Sequence, residues 1–240
     1  MGLQEELENE GNWLFKHRSN LPIVLIVIGL LFFLLQERSS TFLMEMVALT
    51  VSLIGLLIRI ITVGYTPSNT SGRNVHGQVA STINNSGIYS LVRHPLYLGN
   101  YFMWIGPLLL TMNLYLLIIL TLVYWIYYER IMFAEEQYLR EKFGSDYVDW
   151  SNSTPTFILR LTGYRKPYLP FSFRKVLKRE KNGLLGIFTV LLLMNGARHL
   201  YRPESELNMI FFVGFVISLV VYVIIKLIKR KTQWLEQEGR

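Results

Sequence analysis

Apolar positions along the chain gather into continuous stretches instead of recurring at the period of a strand or a surface helix. Six can be marked: roughly Leu21–Leu35, Phe42–Val63, Pro95–Thr111, Leu114–Tyr128, Gly183–Ala197 and Leu207–Ile228. No charged residue interrupts Leu21–Leu35 or the 33-residue run Leu96–Tyr128. A hydrocarbon core about 30 Å thick takes roughly 20 apolar residues as one helix. Backbone amides in lipid must find partners within their own element, so long unalternating runs predict helices and not a barrel. The pattern therefore predicts an all-α, polytopic transmembrane bundle of about six spans, forming a single integral membrane domain over 1–240. Acidic residues Glu5, Glu6, Glu8 and Glu10 precede the first stretch, and no small-residue cleavage site follows it. It reads as a retained span and not a signal peptide.

The 33-residue run is too long for one crossing, because a helix of that length would reach about 50 Å. Thr111-Met112-Asn113 is the one plausible turn, giving a tight helical hairpin over about 95–143. Its second arm meets neither Pro nor Gly from Leu114 to Phe143, and Gly144 then offers a C-cap. Thirty helical residues span about 45 Å. The last turns, with Glu129, Arg130, Glu135 and Glu136, should then stand clear of the bilayer.

Composition sharpens this picture. The 240 residues are 51% hydrophobic and only 17% charged, with a mean hydropathy of +0.31. Disordered and ordinary cytosolic classes are thereby excluded. There is no cysteine, which removes disulfides, thiolate metal sites, catalytic cysteines and iron–sulfur clusters. The net charge of +7 is distributed unevenly. With both termini on one side, that side holds 20 of the 24 Lys and Arg against 3 opposite, Arg59 lying within a span. Omitting residues 129–183 leaves 9 against 3. The positive-inside rule places both termini and the loops 64–95 and 129–183 in the cytoplasm. The charge needs no nucleic-acid partner.

Both loops exceed the length of a mere connection. The first carries Thr66, Ser68, Asn69, Thr70, Ser71, Gly72, Arg73, Asn74, His76 and Gln78, polar but hardly charged, which suits hydrogen bonding to a ligand. The second ends in Arg174–Lys181, a basic stretch with Phe171, Phe173 and Leu177 around it. It reads either as an interfacial helix against anionic inner-leaflet lipids or as a solvated loop that fixes topology.

Candidate chemistry concentrates at the two ends of the hairpin. Arg93 and His94 stand directly before Pro95, a residue favoured at the first helical position, so two donors sit where the helix dipole attracts an anion. Tyr97 and Tyr101 follow at i and i+4, with Gly99 and Gly106 leaving room for close approach. On the other arm, Glu135-Glu136 lies about as far after Asn113 as Arg93-His94 lies before it, so the antiparallel arms return both to one membrane face. Carboxylates, an imidazole and aromatic faces together could hold a cationic cofactor. Taken separately, Arg93-His94 also reads as a topology anchor, the tyrosines as an interfacial belt, and the glutamates as a solvated helix end. Arg59 and Glu45, in or beside the second span, are suspects as intramembrane charges. His17 and His199 are isolated, and His76, His94, Glu135 and Glu136 lack ligand spacing, so no metal is expected. No G-x-G-x-x-G, P-loop or G-x-S-x-G sequence is present.

Two blocks taken together carry a resemblance. Arg93-His94-Pro95-Leu96-Tyr97-Leu98-Gly99, then Glu135-Glu136-x-x-Leu139-x-x-x-Phe143-Gly144-x-x-Tyr147-x-x-Trp150 and Thr154-Pro155, resemble the isoprenylcysteine carboxyl methyltransferase and phospholipid methyltransferase family over about residues 84–158. The resemblance implies an S-adenosylmethionine-dependent membrane methyltransferase with a catalytic core of about 64–163; the helical pair of about 183–228 is additional to that core and departs from the eukaryotic prenylcysteine enzymes. The resemblance implies that His94, Pro95, Tyr97, Gly99, Tyr101, Glu135 and Glu136 line the cofactor site, that Arg93, His94 and Glu136 act in catalysis, and that Arg93 meets an anionic acceptor. The acceptor would be a membrane lipid or lipid-linked molecule bearing a carboxylate, phosphate or amine. Two alternatives are weighed against it: an NADPH-dependent reductase of the related sterol-reductase type, which has a His-Pro-x-Tyr-x-Gly element, and a non-enzymatic transporter or scaffold. The paired glutamates argue against the first, and the lack of repeats or broken mid-span helices against the second. Oligomeric state is not encoded in any pattern here.

Overall fold

A computed structural model of the chain describes residues 2–18, 20–35, 40–68, 70 and 78–239. The polar-loop positions Asn69, Ser71, Gly72, Arg73, Asn74 and His76 lie outside the described residues. Eight α-helices make up the described fold, joined by loops and two 3-10 turns: α1 (Leu3–His17), α2 (Leu21–Leu35), α3 (Phe42–Tyr65), α4 (Pro95–Leu108), α5 (Leu114–Phe143), α6 (Ser145–Ser153), α7 (Phe173–Tyr201) and α8 (Met209–Lys231). The described chain is all-α, and each of the six apolar stretches falls wholly or mostly within an α-helix. Among the described residues four helices, α3, α5, α7 and α8, are long and apolar enough to cross a membrane. Their lipid-suited character is visible in exposed Leu57, Ile61, Leu122, Val213, Val220 and Leu227.

The two remaining stretches form the shorter helices α2 and α4, and the end of α4 has a local cause. In α4, Pro107 has no amide to donate back along the helix, and the chain tightens into a 3-10 turn at Leu109–Thr111. Met112 then takes a left-handed conformation, φ 46°, and the Asn113 side chain accepts from Leu116 N at 3.0 Å to start α5. The turn is as tight as the sequence predicts. The arms behind it are not closely packed, because α4 lies mainly against α3 while α5 runs beside α1. Side-chain size accounts for this. Small residues line the α3–α4 seam, where a Cβ at Gly99 would stand 2.8 Å from Gly55 O, and one at Gly106 would stand 2.7 Å from Ala48 O. Between α4 and α5, by contrast, Tyr97, Tyr101, Tyr124 and Tyr128 hold the backbones apart.

One end of the bundle gathers α1, the loops flanking α4 and α6, the start of α7 and the chain's last residues. Arg130 Nε donates to Glu10 Oε2 at 2.7 Å, Tyr127 Oη to Leu14 O at 3.2 Å, and Gln78 Nε2 to Asn12 Oδ1 at 3.2 Å. Ser68 N donates to Gly239 O at 3.0 Å, and Ser172 Oγ bonds Gln237 Oε1. The topology count puts these segments on one side, and the fold gathers them at one end. Arg174–Lys181 differs from both sequence expectations: it is neither a separate interfacial helix nor a loop but the opening turns of α7, continuous with the span. Lys175 is buried there and caps the end of α3, its Nζ donating to Thr66 O at 2.6 Å and Pro67 O at 3.1 Å.

Candidate active site

The local backbone explains why Arg93 and His94 face inward. Gly87, at φ 61°, starts a 3-10 turn over Ile88–Ser90, and Ser90 Oγ closes it on Gly87 O at 2.6 Å. The segment after α6 then returns antiparallel to it. Arg93 N donates to Pro155 O at 2.9 Å, His94 N to Thr156 O at 3.2 Å, and Arg160 N to Leu91 O at 3.0 Å. Pro95 opens α4 with its missing donor in the first turn, where none is needed. The α6 helix is itself anchored, since Trp150 Nε1 donates to Tyr89 O at 3.1 Å and Tyr147 is fully buried.

On this frame the two sequence blocks meet. Arg93 Nη1 donates to Glu136 Oε2 at 2.9 Å, and His94 Nε2 lies 2.9 Å from Glu136 Oε1. His94 Nδ1 lies 3.6 Å from Glu135 Oε2, and Tyr97 Oη donates to Glu135 Oε1 at 2.8 Å. Arg93 Nη2 bonds Thr156 Oγ1, and Nη1 also reaches Tyr147 Oη at 3.5 Å. Two carboxylates therefore face one guanidinium and one imidazole. Burial disfavours the charged imidazole, but hydrogen bonds and charge from Glu135 and Glu136 outweigh it and raise the pKa of His94 above its ordinary value. The Tyr147 phenol is pushed up, by burial first and then by Glu136.

The two glutamates occupy different positions. Both oxygens of Glu136 are taken, by Arg93 and His94, and its side chain is 18% exposed. Glu135 is the more open at 25% and, among the described residues, is held by Tyr97 and the longer His94 contact. Beyond it runs an aromatic wall. The His94 and Tyr97 rings stack at 5.7 Å, Tyr97 and Tyr128 lie 4.9 Å apart, and Tyr124 and Tyr128 stack at 4.3 Å. Tyr124 Oη donates to Tyr97 O at 2.7 Å. Tyr101 continues the wall one turn deeper, its hydroxyl 3.2 Å from Thr121 Oγ1, and Phe157 inserts beside it. Gly99 occupies the other side of α4, where a Cβ would stand 2.6 Å from Arg59 Cγ; its smallness serves the α3 contact.

Tyr147 stands in the second motif block without an assigned role, and no sequence signal gave Tyr124, Tyr128, Thr156 or Phe157 a place in the site. Tyr124 and Tyr128 carry an i, i+4 signal on α5 matching that of Tyr97 and Tyr101 on α4. Thr156 and Phe157 carry none, since a loop reaches its place only through tertiary contacts. Beside the site lies a cavity of about 420 Å³ lined by Ile61, Tyr65, Asn84, Ile88, Tyr89 and Tyr168 among others. The described residues contain no cluster of His, Asp and Glu suited to a metal ion.

Residues 43–146 match the family model described as phospholipid methyltransferase. That segment comprises nearly all of α3, with α4, α5 and the start of α6. Among curated proteins, the chain is 39% identical over 67 residues to protein-S-isoprenylcysteine O-methyltransferase of Saccharomyces cerevisiae, covering 28% of each chain. It is 32% identical over 91 residues to cobalt-zinc-cadmium resistance protein CzcN of Cupriavidus metallidurans, covering 38% of this chain and 42% of that one. It is 30% identical over 129 residues to nickel-cobalt-cadmium resistance protein NccN of Alcaligenes xylosoxydans xylosoxydans, covering 52% and 60%. The matches thus span between 28% and 60% of these relatives' lengths. No solved structure matches. The Arg93-His94 and Glu135-Glu136 pairs that meet at the site both fall within residues 43–146, so the part of the chain that builds the site is the part similar to phospholipid methyltransferases and to isoprenylcysteine O-methyltransferases.

Proposed function

We propose that the protein is an S-adenosylmethionine-dependent methyltransferase that modifies a membrane-embedded lipid or lipid-linked acceptor by direct in-line transfer at the cytosolic face. The observation that carries this reading is the meeting of Arg93 and His94 with Glu135 and Glu136 beside a tyrosine wall, within the segment matched to the family. When bound, S-adenosylmethionine supplies an electrophilic methyl group on a sulfonium centre. The residues present fit such a group. A half-open carboxylate, Glu135, and the faces of Tyr97 and Tyr128 suit a cation. The buried Nε of Arg93 has no acceptor among the described residues and suits a ligand carboxylate.

In this reading Glu135, His94 and Tyr97 touch the cofactor, with Pro95 setting the helix start and Tyr101 extending the wall. Glu136 orients Arg93 and His94. Because Arg93 is already engaged by Glu136 and Thr156, its free Nε and not its paired Nη atoms would meet an anion. Phe157 and the tyrosines exclude water from the cleft between α4 and α5. Such transfer demands proximity, alignment and dryness and no covalent enzyme intermediate. A carboxylate or phosphate acceptor needs no base; an amine would lose its proton to His94 in its neutral form. Both termini and the site lie in the cytoplasm in this account, consistent with the basic-residue count.

Incubating membranes containing the protein with methyl-labelled S-adenosylmethionine, followed by lipid extraction and mass spectrometry, tests the reading. Label in the lipid fraction supports it, whereas label confined to protein redirects the acceptor to a prenyl-protein. Titration of purified protein with S-adenosylmethionine and with NADPH separates the reductase: binding of NADPH alone would overturn the proposal.

A further inference from the structure

Ahead of α2, the helix α1 lies along α5, which carries Glu135 and Glu136. Leu7, Gly11 and Phe15 recur every four residues on its inner face, while Glu5, Glu6 and Trp13 are exposed. The approach is closest at Gly11. A Cβ there would stand 2.2 Å from Arg130 O and 2.8 Å from Cβ of Ala134, the residue before Glu135. Phe15 is 5% exposed and belongs to the same apolar cluster as Tyr97, Tyr124 and Tyr128. Tyr127 Oη donates to Leu14 O at 3.2 Å, and the Tyr127 ring meets that of Tyr128 edge-on at 5.3 Å. Tyr128 in turn lies 4.9 Å from Tyr97, which donates to Glu135 at 2.8 Å. Each link from Leu14 to Glu135 is a direct contact.

The polar tie between the two helices, Glu10 to Arg130, is 49% and 31% exposed, and surface pairs of this kind add little. Seating α1 therefore falls to Gly11 and Phe15. Glycine inside a helix weakens that helix relative to alanine. At position 11 it serves the packing instead, since any side chain would push α1 away from the α5 backbone. Seated, α1 covers the stretch of α5 from Tyr127 to Ala134, behind the tyrosine wall and directly before Glu135. Lifted, it would expose the Phe15 side of the tyrosine cluster to water, and the attraction of a cation to ring faces is weaker when they are hydrated. The whole of α1 lies outside residues 43–146, the segment similar to phospholipid methyltransferases.

We infer that Gly11 and Phe15 are positioning residues for the cofactor site: they seat α1 against α5, the seated helix holds the Tyr127–Tyr128 side of the aromatic wall and the turn leading to Glu135, and cofactor binding is coupled to that seating. The inference rests on the proposed function, since it assigns the wall to S-adenosylmethionine. It predicts reciprocal coupling between α1 and the cofactor, which a helix serving stability alone would not show.

The test combines hydrogen exchange read by mass spectrometry with calorimetric titration of S-adenosylmethionine, on purified full-length protein in detergent. In the unmutated protein, saturating S-adenosylmethionine should slow amide exchange in residues 3–17 about tenfold, because coupling is reciprocal. Gly11→Ala should speed exchange there and weaken binding about tenfold. Gly2→Ala, with nothing within 4 Å of the added Cβ, should change neither. Alanine at position 11 favours the helix itself, so faster exchange reports lost seating and not lost helicity. Binding of S-adenosylmethionine without slower exchange in α1, or Gly11→Ala with either exchange or affinity unchanged, would overturn the inference while leaving the proposed function standing. If the unmutated protein binds no S-adenosylmethionine, the function reading fails and this inference falls with it. Should Gly11→Ala fail to fold, Tyr127→Phe removes the bond to Leu14 O and keeps the ring, and the same two measurements decide.

Discussion

His94 is the residue on which the electrostatics of the site turn. Burial alone would strip its proton, yet Glu135 and Glu136 flank the ring closely enough to raise its pKa. A raised folded value means that its stabilising contribution is complete below the unfolded value of about 6.5 and is lost as pH rises through the folded one. Thermal melts of the parent protein and of His94→Asn should therefore converge as pH is raised from about 6 to about 9. Parallel curves would show that His94 carries no extra proton. Glu136 makes a second prediction. Replacing it by Ala leaves the buried His94 and the part-buried Arg93 without their shared partner, a loss of about 1–3 kcal/mol for charged groups left short of a hydrogen bond, measurable as a fall in denaturant midpoint. Glu135→Gln removes a carboxylate from beside Tyr97 and His94 but leaves Glu136 in place; it should fold normally, yet weaken S-adenosylmethionine binding by at least tenfold in titration. A normal affinity would remove Glu135 from the site.

Among the helices, side-chain volume decides who packs with whom. Sequence order makes α4 and α5 a hairpin, but α4 lies most closely on α3, because Gly55, Gly99 and Gly106 let those backbones approach. A methyl group at Gly99 would strike Gly55 O and the stem of Arg59, and one at Gly106 would stand 2.1 Å from Ser52 Oγ. Overpacking of this kind costs about 1–3 kcal/mol. Gly99→Ala and Gly106→Ala should each lower the melting temperature in detergent, whereas Gly186→Ala, with nothing within 4 Å of the added Cβ, should not. The hairpin and its turn at Met112-Asn113 were legible because an uncharged run of 33 residues must reverse. The separation of its arms was not, since tyrosines spaced i, i+4 on each arm do not show that they pack between the two backbones and hold them apart.

Across the whole molecule, polar clusters fasten both ends of the bundle. At the end away from the site, Glu45 is buried and accepts from Ser40 at 2.8 Å, from Asn195 at 3.2 Å and from Asn208 at 2.5 Å, tying α3 to α7 and the start of α8. Arg198 lies 4.7 Å over the Phe33 ring nearby. At the site end, Lys175 caps α3, and the chain's last residues fold back so that Arg174 covers Trp234. Lys175→Met leaves the Thr66 and Pro67 carbonyls without a buried charged donor and should cost about 1.5–3 kcal/mol, seen as faster proteolysis near residue 66. Unchanged cleavage would mean that water replaces the ammonium there.

The sequence by itself determined the helical class, the six apolar stretches, the hairpin turn and the convergence of Arg93-His94 with Glu135-Glu136. Each of these follows from local quantities: run length, charge placement and equal distance from a turn. It also flagged Arg59 and Glu45 as charges out of place, without saying what they meet. Only the tertiary structure decided that Glu136 is saturated while Glu135 stays open, that Thr156 and Phe157 complete the site, and that Arg174–Lys181 begins a span. Only the tertiary structure, too, pairs Arg59 with Glu180, 121 positions away in the chain. Such pairings depend on which helix faces fit together, and that is set by the volumes of side chains distant in sequence, which no periodicity within a single segment records.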